Sequence, residues 1–468
     1  MMYKLTGVLN SCIWVFSLLQ LCHAQNKMPI AYITSGDRTQ LLQKQSLLVN
    51  SMNINKEANQ ILIDTLQKFQ TIDGFGFTLT GGSALLIQQM EPKARKDLLQ
   101  ELFGQSTNAI SISYLRISVG ASDLSETVFS YHDLPNGETD TLLHHFNLSR
   151  DTIHLIPLLK QILAINPTLK LMATPWSPPT WMKTNHNSTG GSLIPQYYRS
   201  YARYLVKYIQ AMKAKGIAID ALTIQNEPEH GGNNPSMLMT ASEQAIFIKA
   251  HLGPLFKQHA VKTKIVIWDH NCDHPEFPIR VLNDAAANQY IDGSAFHLYA
   301  GDIAALSAVK KAHPNKNVYF TEQWTGSKGS FEGDLKWHIK NVLLGSLQHH
   351  SKIVLEWNLA NDLNYGPHTP GGCTECKGAL TINGSSFTRN VAYFIIAHAA
   401  KFVPQGSVRV QSNSTPNFES VAFLTPEGST ILILLNNGSA MDRVNIGYRK
   451  QWVDLSLNAG AVATIVFK

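Results

Sequence analysis

Short apolar runs recur through the middle of the chain, and stretches with helical spacing of apolar residues separate them. The clearest helical stretch is Tyr197–Lys215, whose apolar side chains fall on one face. We predict eight strands, at the glycine-punctuated run from Phe69 to Thr78, Ser113–Ile117, Leu169–Ala173, Ala221–Ile224, Ile265–Trp268, Gly293–Phe296, Val318–Phe320 and Ile353–Leu355. Strands and helices that alternate in this number predict an α/β fold, a closed (β/α)8 TIM barrel.

An open, doubly wound parallel sheet is the alternative to the barrel. Such a sheet favours a glycine-rich turn of the form G-x-G-x-x-G after its first strand. The first predicted strand instead carries Asp73-Gly-Phe-Gly-Phe-Thr78, which does not fit that form. We therefore predict the closed barrel.

The two ends of the chain have a different pattern. Ile30–Thr34 and Ser46–Val49 are β-prone runs, and beyond Pro404 the helical period gives way to short alternating runs separated by turn residues. These runs predict an attached all-β sandwich domain built from both chain ends. We expect sandwich strands in residues 25–65, the barrel in 66–400 and the rest of the sandwich in 401–468.

The first 24 residues resemble a secretory signal peptide. Lys4 supplies a positive start, Val8–Leu21 is mostly apolar, and Cys22-His-Ala24 suits cleavage near Ala24. A membrane anchor is the alternative, but the apolar run is short and interrupted for a span. The chain is therefore expected to be exported, to the periplasm or outside the cell, and not to be stably inserted in a membrane.

Composition narrows the class of function. The chain has 468 residues, 44% of them hydrophobic, and its net charge of +6 is not gathered into basic blocks. Nothing in this distribution indicates nucleic acid as a partner. No phosphate-binding loop, zincin motif or nucleophile elbow is present, so we predict no cofactor.

Two of the predicted strands lead into glutamates. Ala221–Ile224 is followed by Gln-Asn226-Glu227-Pro, and Val318–Phe320 by Thr-Glu322. On our count these are the fourth and seventh strands, so both carboxylates should face the C-terminal mouth of the barrel from opposite sides. Two carboxylates across a cleft are what glycosidic hydrolysis requires: one acts as the acid, and the other stabilises or traps the oxocarbenium ion. The alternative is that the two glutamates simply end their strands in solvent and have no catalytic role.

Other strand ends add candidate binding residues. Arg116 near the end of the second strand is expected to lie beneath the carboxylates and favour an ionised nucleophile, although an ordinary ion pair is the alternative. Asp123, just beyond, is a candidate acceptor for sugar hydroxyls or a turn residue. Trp176 and Trp357 follow the third and eighth strands, where indole rings can stack on a pyranose.

Three further residues follow the sixth and seventh strands. Tyr299 is expected to hydrogen-bond the nucleophile, whereas His297 fits a buried barrel position as well as a binding one; Trp324 follows Glu322. Asp269-His-Asn-Cys-Asp-His274 has the residue types of a metal site, but without a distant ligand we predict a hydrogen-bonded rim loop and no metal. Cys373 and Cys376 suit a small-loop disulfide that would brace a glycine-rich loop, and a redox role is the alternative.

Several stretches together resemble glycoside hydrolase family 30, which includes lysosomal glucosylceramidase and microbial endo-β-1,6-glucanases. They occur in the family's order from about residue 60 to the end: QTIDGFGFTLT, LRISVGASDLS, ATPWSPPTWMKTN, TIQNEPEHG, FHLYAG, FTEQWTG, EWNLA and HAAKFVPQGSVRV. The resemblance implies a retaining, double-displacement hydrolase.

By motif, the resemblance assigns Glu227 as acid/base and Glu322 as nucleophile, with Asn226 holding the sugar's 2-hydroxyl. Asp123, Trp176 and Trp357 match the family's glucose-binding positions. Departures at Thr80–Ser83 and at the loop 365–378 differ from the lysosomal enzyme and put a lipid substrate in doubt. We therefore expect an endo-β-1,6-glucanase acting on β-glucan; the alternatives are a glucosylceramidase or exo-β-glucosidase, and a non-catalytic carbohydrate-binding barrel.

Overall fold

The structure is a computed structural model, and it describes residues 28–50, 59–449 and 451–468. The expected signal peptide, residues 1–24, lies outside the described residues. Among the residues described, no helix is long and apolar enough to cross a membrane.

Eight parallel strands close into a barrel in the order expected from the sequence. We number them β1–β8 along the chain: Gly74–Thr78, Tyr114–Ser118, Lys170–Thr174, Ala221–Thr223, Lys264–Cys272, Ile291–Gly301, Asn317–Glu322 and Ser351–Asn358. Each strand pairs with its sequence neighbour, and β8 pairs with β1. Near-continuous burial along these strands follows from their position inside a ring of helices.

Helices surround the barrel between successive strands. They span Gly81–Gln89, Pro92–Phe103, Leu155–Ile165, Tyr198–Ala214, Ala241–Phe247, Gly253–Gln258, Glu276–Asn283, Ala285–Asn288, Ala305–Ala312, Phe331–Trp337, Gly345–Gln348 and Val391–Ala400. Two π-helical turns, Ile248–Leu252 and His338–Leu344, join neighbouring helices, and short 3₁₀ turns lie at Ser149–Thr152, Thr180–Met182 and Pro195–Tyr197.

The all-β domain is one folded ten-stranded sheet. Its strands, in spatial order, are Gln43–Ser46, Ile30–Thr34, Val462–Phe467, Thr430–Asn436, Phe418–Leu424, Val408–Ser412, Asn59–Thr71, Asp442–Tyr448, Gln451–Leu457 and Val49–Asn50. The long strand Asn59–Thr71 pairs with Val408–Ser412 on one side and, through its first residues, with Asp442–Tyr448 on the other. Both chain ends therefore contribute to the sandwich, as expected.

Two details differ from the sequence expectation. Phe69 belongs to the long sandwich strand, and the first barrel strand is only the later part of that run, Gly74–Thr78. The strand Gln451–Leu457 was not predicted, although its buried Val453, Leu455 and Leu457 alternate with polar residues. The helix Val391–Ala400, buried along its whole length, lies between barrel and sandwich, where His398 contacts Thr34 and Thr464.

Small sheets at the mouth of the barrel hold its loops in place. Thr325–Gly326 pairs antiparallel with Cys376–Lys377, which ties the loop after β7 to the loop after β8. Ala360–Asn361, Leu380–Asn383 and Ser386–Arg389 form a second small sheet. The C-terminal face of the barrel is thus closed around a confined site.

Candidate active site

Glu227 and Glu322 converge at the mouth of the barrel. Glu322 is the last residue of β7, and Glu227 lies in the turn beyond β4 with a left-handed backbone, φ 46°. Such a conformation is uncommon for a residue with a side chain and concentrates at functional sites. One carboxylate oxygen of each glutamate lies within 4.8 Å of the other.

Arg116 and Tyr299 hydrogen-bond the two carboxylate oxygens of Glu322. The Arg116 guanidinium is fully buried in β2 and donates to Glu322 Oε2, while the Tyr299 hydroxyl donates to Oε1 at 2.9 Å. Arg116 also donates to Asn226 Oδ1 at 2.7 Å and to Asp269 Oδ2 at 2.9 Å. One planar cation thereby fixes three strand-end side chains, as its fork of donors allows.

Asp269 is the buried counter-charge of the site, and sequence reasoning left it in a rim loop. Besides Arg116, it accepts hydrogen bonds from Thr223 at 2.8 Å and Thr321 at 2.7 Å. Burial alone would raise the pKa of Asp269, but Arg116 and His297 hold it far below its usual range. Asp269 is thus an anion that is shared between the site's two cations.

His297 lies between the two glutamates. Its Nδ1 is 3.4 Å from Glu227 Oε1 and 3.9 Å from Glu322 Oε1, and its Nε2 is 3.2 Å from Asp269 Oδ1. Burial lowers the pKa of His297, but the charge of Glu322 and the hydrogen bonds to Asp269 and Glu227 outweigh burial and raise it to about 9. The imidazole is therefore a cation at neutral pH.

The surroundings of the two glutamates shift their pKa values in opposite directions. Burial raises the pKa of Glu322 above its ordinary value, with a further contribution from Glu227, although His297 and Arg116 oppose the rise. Burial also tends to raise the pKa of Glu227, but His297 holds it below the ordinary value.

The raised pKa of Glu322 differs from the sequence expectation, in which Arg116 favours an ionised nucleophile. Burial is the main cause of the rise. The sequence did not identify His297 as a cation, and its Nδ1 lies nearer to Glu227 Oε1, at 3.4 Å, than to Glu322 Oε1, at 3.9 Å. His297 Nδ1 lies near both carboxylates, so a proton would have a short path between them.

A cavity of about 360 Å³ opens above the glutamates. It is lined by Asp123, Trp176, Glu227, His230, Asn233, His270, Asn271, Tyr299, Glu322, Trp324, Trp357, Cys373 and Cys376. The rings of Trp176 and Trp357 lie 5.4 Å apart, and the Arg116 guanidinium lies 4.8 Å from the Trp176 ring. Aromatic faces beside paired carboxylates fit the C–H faces and hydroxyls of a sugar.

The loop after β8 closes the side of the cavity near Asp123. Cys373 and Cys376 are joined by a disulfide, and the backbone N–H of Cys373 donates to the Asp123 carboxylate. At Gly372 a side chain would collide with the Asp123 carbonyl oxygen, since a Cβ there would lie 2.3 Å from it. Burial, together with the charges of Glu322 and Glu227, raises the pKa of Asp123 to about 7.

All ten residues predicted for the site lie together, but at different depths. Asn226 and His297 do not line the cavity and contact Arg116 and Glu227 beneath it. The cavity-lining residues His230, Asn233, His270 and Asn271 were not predicted as binding residues. Asp269 had a usable signal: it ends the apolar run Ile265–Trp268 in the way that Glu322 ends its own strand.

The suspected metal cluster Asp269–His274 does not converge. Asp269 faces Arg116, whereas His274 is exposed and pairs with Glu229 at 2.6 Å. Among the described residues, Glu227, His297 and Glu322 do bring potential ligand atoms within 4.8 Å. Three acids surround His297 there, and they raise its pKa. A protonated imidazolium that donates hydrogen bonds is therefore favoured, rather than the neutral imidazole that a metal ion requires.

Fold and site define a barrel hydrolase with paired carboxylates. The profile of the glycosyl hydrolase family 30 TIM-barrel domain matches residues 72–403, and that of the family's β-sandwich domain matches residues 406–465. The chain therefore belongs to glycoside hydrolase family 30, and it is a glycoside hydrolase.

The names of the relatives fall into two groups, endo-1,6-β-glucanases and glucosylceramidases. The endo-1,6-β-D-glucanase neg1 of Aspergillus fumigatus is 33% identical over 394 residues, 78% of each chain. The lysosomal acid glucosylceramidase of Mus musculus is 30% identical over 85% of this chain and 81% of its own. Among solved structures, the endo-β1,6-glucanase BT3312 matches with a TM-score of 0.87 and 32% identity, over 94% of this chain and 99% of the other.

Proposed function

We propose that this glycoside hydrolase is a retaining endo-β-1,6-glucanase that cleaves β-glucan by double displacement. The observation that carries the retaining mechanism is the approach of the Glu227 and Glu322 oxygens within 4.8 Å. Retaining enzymes place their carboxyl groups about 5–5.5 Å apart, whereas inverting enzymes leave about 6.5–9.5 Å for a water molecule. The similarity to endo-1,6-β-glucanases over most of the chain supports the choice of linkage.

In the proposed mechanism Glu322 is the nucleophile. Its ionised Oε1 or Oε2 attacks the anomeric carbon of a glucosyl unit held against Trp176 and Trp357, and the bond to the leaving oxygen breaks. Arg116 and Tyr299 orient the attacking carboxylate through their hydrogen bonds. Asn226 and Asp123 are proposed to hold sugar hydroxyls.

Glu227 is the proposed acid and then the base. As the acid it gives a proton to the leaving oxygen, and as the base it later removes a proton from the water that releases the sugar. This step needs the proton on Glu227 and an ionised Glu322, whereas the surroundings of the empty site shift the two pKa values the other way. His297 Nδ1 lies close enough to both carboxylates to pass the proton between them.

Site variants on activated and natural substrates test this assignment. Glu322→Ala should abolish release of sugar from every β-glucoside. Glu227→Ala should spare the first step only on substrates whose leaving group needs no proton, so that the glucosyl-enzyme accumulates. Near wild-type turnover by Glu322→Ala would refute the assignment, and a wild-type protein that binds but releases no sugar would favour a carbohydrate-binding barrel.

Product profiles separate the remaining activities. β-1,6-Glucan, gentiobiose and glucosylceramide should be digested side by side. An endo-enzyme releases a ladder of oligosaccharides from the polymer, whereas an exo-β-glucosidase releases glucose alone. Preference for glucosylceramide would instead support the function named for the mouse relative.

We also propose that the chain is exported after cleavage near Ala24. Lys4, the apolar segment behind it and the small residues of the cleavage site support this, and the Cys373–Cys376 disulfide fits an oxidising compartment. N-terminal sequencing of protein recovered outside the cytoplasm should begin near Gln25. An intact Met1 on the exported protein would contradict the cleavage.

A further inference from the structure

The cavity has two chemically different sides. On one side Trp176, Trp357 and Cys376 pack together with Leu124, with Trp324 and Cys373 against them, and Asp123 lies next to the disulfide. The other side consists of polar residues around Glu227, namely His230, Asn233, His270 and Asn271. None of the described residues that line the cavity is aliphatic.

His270 on the polar side lacks a hydrogen-bond partner at Nδ1. Its side chain is only 7% exposed, and this buried nitrogen contacts no donor or acceptor in the described part of the chain. Burial lowers the pKa of His270 to about 4, so the neutral ring offers one donor and one acceptor. Most buried polar atoms are paired, so an unpaired one on a residue that lines a cavity points to a ligand.

The backbone of β5 is distorted where it presents His270. Trp268 and Asp269 both have left-handed backbones, with φ of 70° and 64°, and the pairing of β5 with β6 skips Asp269. This bulge turns Asp269 inward to Arg116 and His270 toward the cavity. Bulges of this kind re-aim side chains next to active sites, and the local strain is kept where function requires it.

The neighbours of His270 also present polar groups. Asn233 Nδ2 donates to Glu227 Oε2 at 3.1 Å, so its amide group lies beside the proposed acid/base. Asn271 Oδ1 accepts from the Tyr299 backbone at 3.0 Å, which directs its amide group away from that contact. A leaving group whose oxygen is protonated by Glu227 must extend among these residues.

We propose that His270, with Asn233 and Asn271, forms the leaving-group subsite and selects a hydroxyl-bearing sugar over a hydrocarbon chain. A sugar can pair with the ring nitrogens and amides, whereas an alkyl chain would bury them without partners. This inference rests on the proposed function, because it takes Glu227 as the acid that protonates the leaving oxygen.

The test compares leaving groups in His270 variants. We would measure kcat/KM on gentiobiose, whose leaving group is a sugar, and on an aryl β-glucoside, whose leaving group lacks hydroxyls. His270→Ala should lower kcat/KM for gentiobiose about 10- to 100-fold and leave the aryl glucoside within about twofold. His270→Gln, which keeps a donor and an acceptor, should recover part of the loss. His274→Ala, an exposed histidine of the same loop, is the matched control and should change neither.

Equal losses on both substrates, or no loss on either, would overturn the inference. Its failure differs from failure of the proposed function, which the wild type alone would reveal by releasing no ladder of oligosaccharides from β-1,6-glucan. If His270→Ala does not fold, the wild type still provides a test through transfer to acceptors. A sugar acceptor should divert the glucosyl-enzyme at low, saturating concentration, whereas butanol should show no saturation; equal behaviour would refute the subsite.

Discussion

Replacing Asp269 by asparagine should expose how the charges beneath the active site depend on one another. The substitution keeps the shape of the side chain and removes its charge. In the wild type Asp269 is fully buried and accepts from Arg116, Thr223, Thr321 and His297. An asparagine can present only one oxygen, so the donors at the other position would face an N–H group.

The loss in free energy of unfolding depends on these contacts. Oδ2 accepts from Arg116, Thr223 and, at 3.4 Å, Thr174, and Oδ1 accepts from Thr321 and His297. The threonine hydroxyls can turn to accept from the new amide, but either orientation points its N–H group at one of the two cations, Arg116 or His297. Breaking a buried ion pair by removing one partner costs about 3–5 kcal/mol. Because a whole domain is stable by about 5–15 kcal/mol, the variant should fold with a markedly lower free energy of unfolding.

Urea denaturation followed by tryptophan fluorescence measures this loss. Asp302→Asn is the matched control: Asp302 is exposed after β6 and its Oδ1 accepts the Ala304 N–H at 2.8 Å, a bond that asparagine retains. The control should change the free energy of unfolding by no more than about 0.5 kcal/mol. A loss below about 1 kcal/mol for Asp269→Asn would refute the role of Asp269 as the shared counter-charge.

Two other features of the site have measurable consequences. Replacing both Cys373 and Cys376 by serine should raise KM about fivefold, because the loop that donates to Asp123 loses its disulfide. Reduction of the wild type should have the same effect, and Cys272→Ser is the control. An unchanged KM in the double variant would contradict this role of the disulfide. The raised pKa of His297 should contribute stability that is fully present below about pH 6.5 and is lost as the pH rises through about 9. Unfolding measured from pH 6 to 10 should therefore show a decline that His297→Gln flattens, and equal slopes for the two proteins would be the contrary result.

The barrel and most of its site were open to prediction because their signals are local. Apolar runs reveal buried parallel strands, and the residue that ends each run must lie at the same end of the barrel as the others. The positions of Glu227, Glu322, Arg116 and Trp176 at strand ends therefore predict that they share one site. The motifs then identified the family, which the matches over residues 72–403 and 406–465 show.

Tertiary structure alone decided the protonation of the site and the shape of its cavity. Which glutamate is the stronger acid depends on His297, whose charge comes from three acids on different strands. The orientation of His270 depends on a bulge in β5 that apolar periodicity does not reveal. Electrostatic energies depend on distances between residues remote in sequence, and such distances exist only once the chain has folded.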